Sequence, residues 1–115
     1  MEPAISLTAT SEEIAAILRL ARDAEGVEGV SEPAALDSSR ALNAGLTAED
    51  VRTALEIITV IFKTGAALFV FLKAVRDYVK TRGGVVGVSD ATGTKSLGRI
   101  EATSPDEAIT RLLPP

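Results

Sequence analysis

The sequence contains no cysteine and no histidine. Without cysteine there is no disulfide, no thiol nucleophile and no thiolate metal ligand. Without histidine there is no imidazole base, so every histidine-based triad or relay is excluded and the usual zinc sites go with it. Only carboxylates could hold a metal. Aromatic residues are scarce as well: no tryptophan, one tyrosine and three phenylalanines, 3% of the chain, so the core must be assembled from Ala, Val, Ile and Leu. The stretch "MEPAISLTATSEE" lacks a basic segment followed by an apolar one, and it is not read as a signal peptide. A cysteine-free chain agrees with a reducing compartment, and the expected location is cytoplasmic.

What is present suits a globular protein. The 115 residues fit one small domain spanning 1–115. A composition of 46% hydrophobic and 24% charged residues argues against wholesale disorder. The net charge of −4 is uneven: residues 1–50 carry ten acids and three bases, and residues 51–115 carry six acids and nine bases. An acidic first half speaks against a nucleic-acid-binding domain.

Local patterns set the expected order of elements. "AISLTAT" (4–10) alternates with period 2 and predicts a strand. Thr10 and Glu13 form a capping box for a helix running to about residue 25, with Ile14, Ile17, Leu18 and Ala21 on its inner face and Gly26 as its stop. "VEGVSEP" (27–33) predicts a short strand paired with the first. Residues 34–47 read as an irregular loop. Thr47 and Asp50 open a long helix over 48–81, roughly 50 Å at 1.5 Å per residue, with Gly65 its one break or close-packing point and Gly83-Gly84 its end. "VVGVSD" (85–90) and "SLGRIEAT" (96–103) predict a hairpin. Ser104 as N-cap, Pro105 and Glu107 predict a last short helix, anchored by Ile109, Leu112 and Leu113. The fold class is α+β, in the order β-α-β-α-β-β-α, with a small sheet and one long hydrophobic helix. That order does not match a ferredoxin-like sheet.

No motif carries chemistry. "GVSDATGTKS" (87–96) has five residues between its glycines and a threonine before its lysine, so it fails the phosphate-loop spacing and reads as a hairpin turn. The acidic pairs Glu12-Glu13, Glu49-Asp50 and Asp106-Glu107 all fall at helix starts, where they favour the helix dipole. Lys73, Arg76, Lys80 and Arg82 read as charges at a helix C-terminus and on a solvated face. No catalytic, cofactor-binding or metal-binding residue is assigned, and an enzyme is not expected.

The stretch "VIFKTGAALFVF" (60–71) carries the functional expectation. Residues 54–72 hold eleven Leu, Ile, Val or Phe. On an insertion scale these contribute about −5 kcal/mol, against about +3 for Lys63 and somewhat less for Glu56. A single-pass membrane protein with 54–72 in the bilayer is therefore the alternative reading. Against it, Arg52, Glu56, Thr59, Lys63 and Asp77 share one polar stripe of the assumed helix, as a soluble helix requires. The remaining apolar arc spans roughly 240°, more than one small sheet hides. Its excess predicts an interface, either with a second copy in a homo-oligomer or with a protein partner, through Ile57, Ile61, Phe62, Leu68, Phe69 and Phe71.

The whole arrangement resembles a known family. An N-terminal strand and amphipathic helix precede "ALEIITVIFKTGAALFVFLKAVRDYVKTR". A Val-rich hairpin and an acidic-capped helix ending in leucines follow, "VVGVSDATGTKSLGRIEATSPDEAITRLL". This is similar to the effector-associated constant component family of bacterial conflict systems, over most of residues 4–113. The chain departs from that family in lacking a tryptophan near the end of the long helix, where Tyr78 stands. The resemblance implies a non-enzymatic adaptor of bacterial defence that links an effector to a sensor or processing component.

Overall fold

The computed structural model describes residues 3–35 and 55–113. Strand β1 (Ala4–Thr10) forms over the alternating segment. Helix α1 (Ser11–Asp23) starts from the capping box: the Thr10 hydroxyl accepts from the Glu13 amide, and the Glu13 carboxylate accepts from the Thr10 amide and hydroxyl. Strand β2 (Val27–Val30) and the two-residue β3 (Ala34–Ala35) follow. Residues 36–47 of the expected loop and 48–54 of the expected long helix, with Thr47 and Asp50, lie outside the described residues.

The expected long helix is corrected in its described part. Leu55–Phe62 is a strand, β4, and helix α2 occupies only Gly65–Arg82. The reason is local. Ile57, Ile58, Thr59, Val60 and Ile61 are five consecutive β-branched residues, which lose rotamer freedom in a helix and suit a pleated surface. Thr64 then caps α2, its backbone extended and its hydroxyl accepting from the Ala67 amide at 3.1 Å. Gly65 has open space around it, so it marks the break between elements and no close packing.

Strand β5 (Val85–Ser89) and strand β6 (Ser96–Glu101) form the expected hairpin. Helix α3 (Asp106–Arg111) starts later than expected. Pro105 stands at its N-cap without a side-chain bond, and the Ser104 hydroxyl instead accepts from the Glu101 amide at 2.9 Å, closing the turn out of β6.

Once β4 is a strand the topology follows. The sheet order is β2-β4-β1-β5-β6, with β3 also on β4, and every pairing is antiparallel. β1 and β2 both run against β4, so they are parallel to each other with β4 between them. β4 and β5 likewise flank β1. Helix α1 joins the first parallel pair and α2 the second. Two interleaved split β-α-β units of this kind make a ferredoxin-like sheet, extended here by β6 and α3. Two expectations are thereby corrected: β2 pairs with β4, not with β1, and the ferredoxin-like order is present. The α+β class stands.

One face of the sheet holds the core. Ile5, Leu7, Ile58, Val60, Phe62, Val86, Val88 and Ile100 alternate inward along their strands and meet Ile14, Ile17 and Ala21 of α1. Leu68, Phe71, Leu72, Val75 and Val79 of α2 close over them at helical spacing. The Phe62 and Phe71 rings, 5.4 Å apart and tilted by 49°, fasten the end of β4 to α2. β1 is buried on its second face too, where Ser6, Thr8 and the neighbouring Ser89 lie and Ser6 shares a 2.9 Å hydrogen bond with Thr59.

Arg76 belongs to the buried stripe of α2, which corrects its expected place on a solvated face. Its guanidinium pairs with Asp106 of α3 and, at 3.5 Å, with Asp77, while Lys73 reaches Asp106 at 3.7 Å. The bond from Arg76 holds the Asp106 carboxyl below the usual range, against the opposing effect of burial and with Lys73 adding to it. The same contact raises the Arg76 pKa. A depressed carboxyl pKa stabilises the fold above the ordinary aspartate range, and that contribution is lost as pH falls through the lowered value. Protection of the Ile109 and Leu112 amides, taken relative to the intrinsic exchange rate at each pH, is therefore expected to fall on acidification before that of the sheet. Asp106→Asn should flatten that pH dependence. Protection lost at the sheet and α3 together would contradict this.

Candidate binding site

Helices α1 and α2 lie antiparallel on the sheet, so the start of α1 meets the end of α2 and the end of α1 meets the start of α2. A hollow opens at each meeting. The first, of about 720 Å³, is as much apolar as polar: Thr10, Glu12, Glu13, Ala15, Ala16 and Arg19 of the α1 side face Tyr78, Arg82, Gly83 and Gly84. Gly84, at φ 112°, has no room for a Cβ because the Glu13 carboxylate occupies that space. The capping box and the helix stop are thus packed into one another. Glu12, Glu13, Arg19 and Arg82 mix both signs of charge there, and the Thr10 hydroxyl beside Glu13 is engaged in capping α1.

The second hollow is a groove of about 700 Å³ and is mostly apolar. Leu20, Asp23, Ala24, Glu25 and Gly26 form one wall; Ala66, Ala67, Val70, Phe71 and Ala74 form the other. Its depth comes from small side chains. The turn after α1 carries Gly26 at φ 82°, and its carbonyl accepts the Lys63 amide at 2.8 Å. That bond draws the turn against the first turn of α2, where a Cβ on Gly26 would lie 2.6 Å from the Cβ of Ala67. Gly26→Ala is therefore strained twice, by backbone conformation and by overlap. It should cost about 2–4 kcal/mol, read as a lower urea midpoint at constant m. A change under about 0.5 kcal/mol would contradict the close approach.

Val70 stands on the groove with 65% of its surface exposed, the more open of the two exposed large hydrophobic residues among the described residues. The expected interface residues are placed otherwise. Phe62 and Leu68 are wholly buried, and Phe71 is 2% exposed, contributing only the floor of the groove. Phe62 and Leu68 cannot offer their side chains to a partner while the chain is folded, and Phe71 offers no more than that floor, which corrects the interface assigned to them. Phe69 is partly buried, with the Lys73 ammonium 5.4 Å from its ring centre. Ile57 and Ile61 lie on the far face of the sheet, the first nearly buried and the second 37% exposed. The structure does not bring the six together, because the helix that would have aligned them is two elements. Val70 escaped notice for the same reason. With α2 started at Gly65, residues 66, 67, 70 and 74 form a small-residue stripe offset from the core stripe, and the sequence pattern shows it.

The remaining motifs are structural. Asp90 closes the β5–β6 turn: its carboxylate accepts from the Thr92 hydroxyl at 2.8 Å and from the Thr94 amide at 3.0 Å. The Thr92 bond, joined by the Thr94 and Lys95 amides, holds its pKa below the usual range. A carboxylate already fills the position a phosphate would need, so "GVSDATGTKS" is a hairpin turn. Among the described residues no group of three or more acidic side chains is placed to hold a metal. No helix among them is long and apolar enough to cross a membrane. The bilayer reading of 54–72 also loses its helix, since most of that segment is β4 and the turn after it. No family model matches the chain, and no curated protein or solved structure is significantly similar to it.

Proposed function

We propose that this chain is a non-enzymatic adaptor that docks a protein partner on its helical layer, at the groove between the end of α1 and the start of α2. The observation that carries the proposal is Val70, 65% exposed beside a floor of alanine and glycine. An exposed branched residue next to a shallow apolar depression is how a docking surface presents an anchor and a socket together. The composition supports the same reading, since it supplies neither a cysteine nor a histidine. The resemblance to the effector-associated constant component family supports it too, and would make the partner an effector or sensor of a bacterial conflict system. Self-association was expected from the width of the apolar arc. That arc dissolves when β4 separates from α2, so the groove is assigned to a different protein rather than to a second copy.

A photo-crosslinking side chain at position 70 tests this. It is expected to yield a discrete adduct with a second protein inside cells. Once purified, that protein should bind the chain with a dissociation constant that Val70→Asp raises by about thirtyfold. Adducts that form equally well from Thr81, on exposed helix surface outside the groove, would end the proposal.

A further inference from the structure

The charge around the groove specifies what fits it. Among the described residues its lining contains two acids, Asp23 and Glu25, and no base. The segment that runs from the groove wall into edge strand β2, residues 23–32, carries Asp23, Glu25, Glu28 and Glu32 and again no base. All four side chains are exposed, and among the described residues none of them makes an ion pair. The bases next to lining residues along the chain, Arg19, Arg22 and Lys73, do not themselves line the groove. The walls between the acids are apolar: Leu20, Val70 and the small residues beneath them. An apolar socket with a rim of one sign selects a complementary segment, since a like-charged rim repels the wrong partner and speeds the approach of the right one.

We propose that the groove receives a protein segment carrying an apolar anchor flanked by lysine or arginine, an inference that rests on the groove being the docking site. The anchor seats on the alanine floor against Val70. The flanking cations lie over Asp23 and Glu25, and a longer basic segment reaches Glu28. Because the rim is exposed, the ionic part sets selectivity and salt dependence more than total affinity.

The test titrates the isotopically labelled full chain, followed by NMR, with a model amphipathic peptide of leucine and lysine, and separately with its leucine and glutamate counterpart. The lysine peptide is expected to shift signals of Leu20–Gly26 and Ala66–Ala74. It should bind at least about fivefold more tightly than the glutamate peptide, the sum of two rim-exposed charge pairs. The double variant D23K/E25K, at two exposed positions, should reverse the preference while leaving the rest of the spectrum unchanged. V70D should remove the groove shifts of both peptides. If both peptides seat in the groove with equal affinity, or the glutamate peptide binds better, the basic partner is overturned while the docking groove stands. If neither peptide moves a groove signal, the groove itself fails as a docking site and the inference falls with it. Groove shifts that grow with protein concentration alone would put a second copy there and overturn the inference directly.

Discussion

Phe62→Asp and Leu68→Asp are expected to unfold the chain. Both side chains are wholly buried, Phe62 where β4 ends against Phe71 and Leu68 in the first turns of α2. Removing a buried phenylalanine or leucine costs about 2–5 kcal/mol through lost transfer energy and the cavity left behind. An uncompensated carboxylate in the same place costs several kcal/mol more, unless it takes up a proton and leaves an unpaired polar group. The sum reaches the roughly 5–15 kcal/mol that stabilises a whole domain. Were these residues contact surface, the same substitutions would leave a folded chain whose assembly had come apart. Far-UV circular dichroism and urea unfolding separate the two outcomes. The matched control is Val70→Asp, only two residues beyond Leu68, which should hold its midpoint within about 0.5 kcal/mol because its side chain is in water already. A folded Leu68→Asp variant would contradict the core described here.

The contrast between positions 68 and 70 shows where the sequence was legible. The signals of β1, the capping box of α1 and the β5–β6 hairpin are local: alternation, a Thr-x-x-Glu pair, a turn rich in Asp, Thr and Gly. Each can be read within about ten residues, and each stands in the structure. The border between β4 and α2 is different. β4 lies between β1 and β2 and is buried at Ile57, Ile58, Val60 and Phe62, so its apolar residues do not alternate cleanly. A short apolar run of this kind cannot be told from a buried helix by periodicity alone. The marks that distinguish it are the five β-branched residues in succession and the Lys63-Thr64-Gly65 break, with Thr64 as cap. Taken as one helix, β4 and α2 conceal the ferredoxin-like order, because a central strand is then missing. They also give an apolar arc too wide for one helix, and its excess imitates an interface. The real groove is made by residues from both sides of the sequence, Leu20–Gly26 and Ala66–Ala74, and only the crossover of the chain brings them together.

The second large effect is an alternation within β4. Ile58→Lys should destabilise the chain by about 4 kcal/mol or more, while Ile61→Lys should cost about 1 kcal/mol or less. Ile58 is 1% exposed, faces the helices and lies opposite Leu7 in the register; Ile61 is 37% exposed, lies opposite Ala4 and points to the other face. Three residues apart, the two positions give opposite expectations for the two kinds of element. On a helix they would stand about 60° apart and share a face, so a lysine at either would act alike. On a strand an odd spacing puts them on opposite faces, and one lysine reaches water while the other does not. Urea unfolding of the two variants measures the difference directly, and equal losses would mean that residues 55–62 are not a strand. The groove depends on the same result. The Lys63 amide reaches the Gly26 carbonyl, and Thr64 starts a new helix, only because the chain leaves the sheet at Phe62. If 55–82 were one helix, Ala66, Ala67 and Val70 would not be turned against the end of α1, and the exposed valine would have no socket beside it.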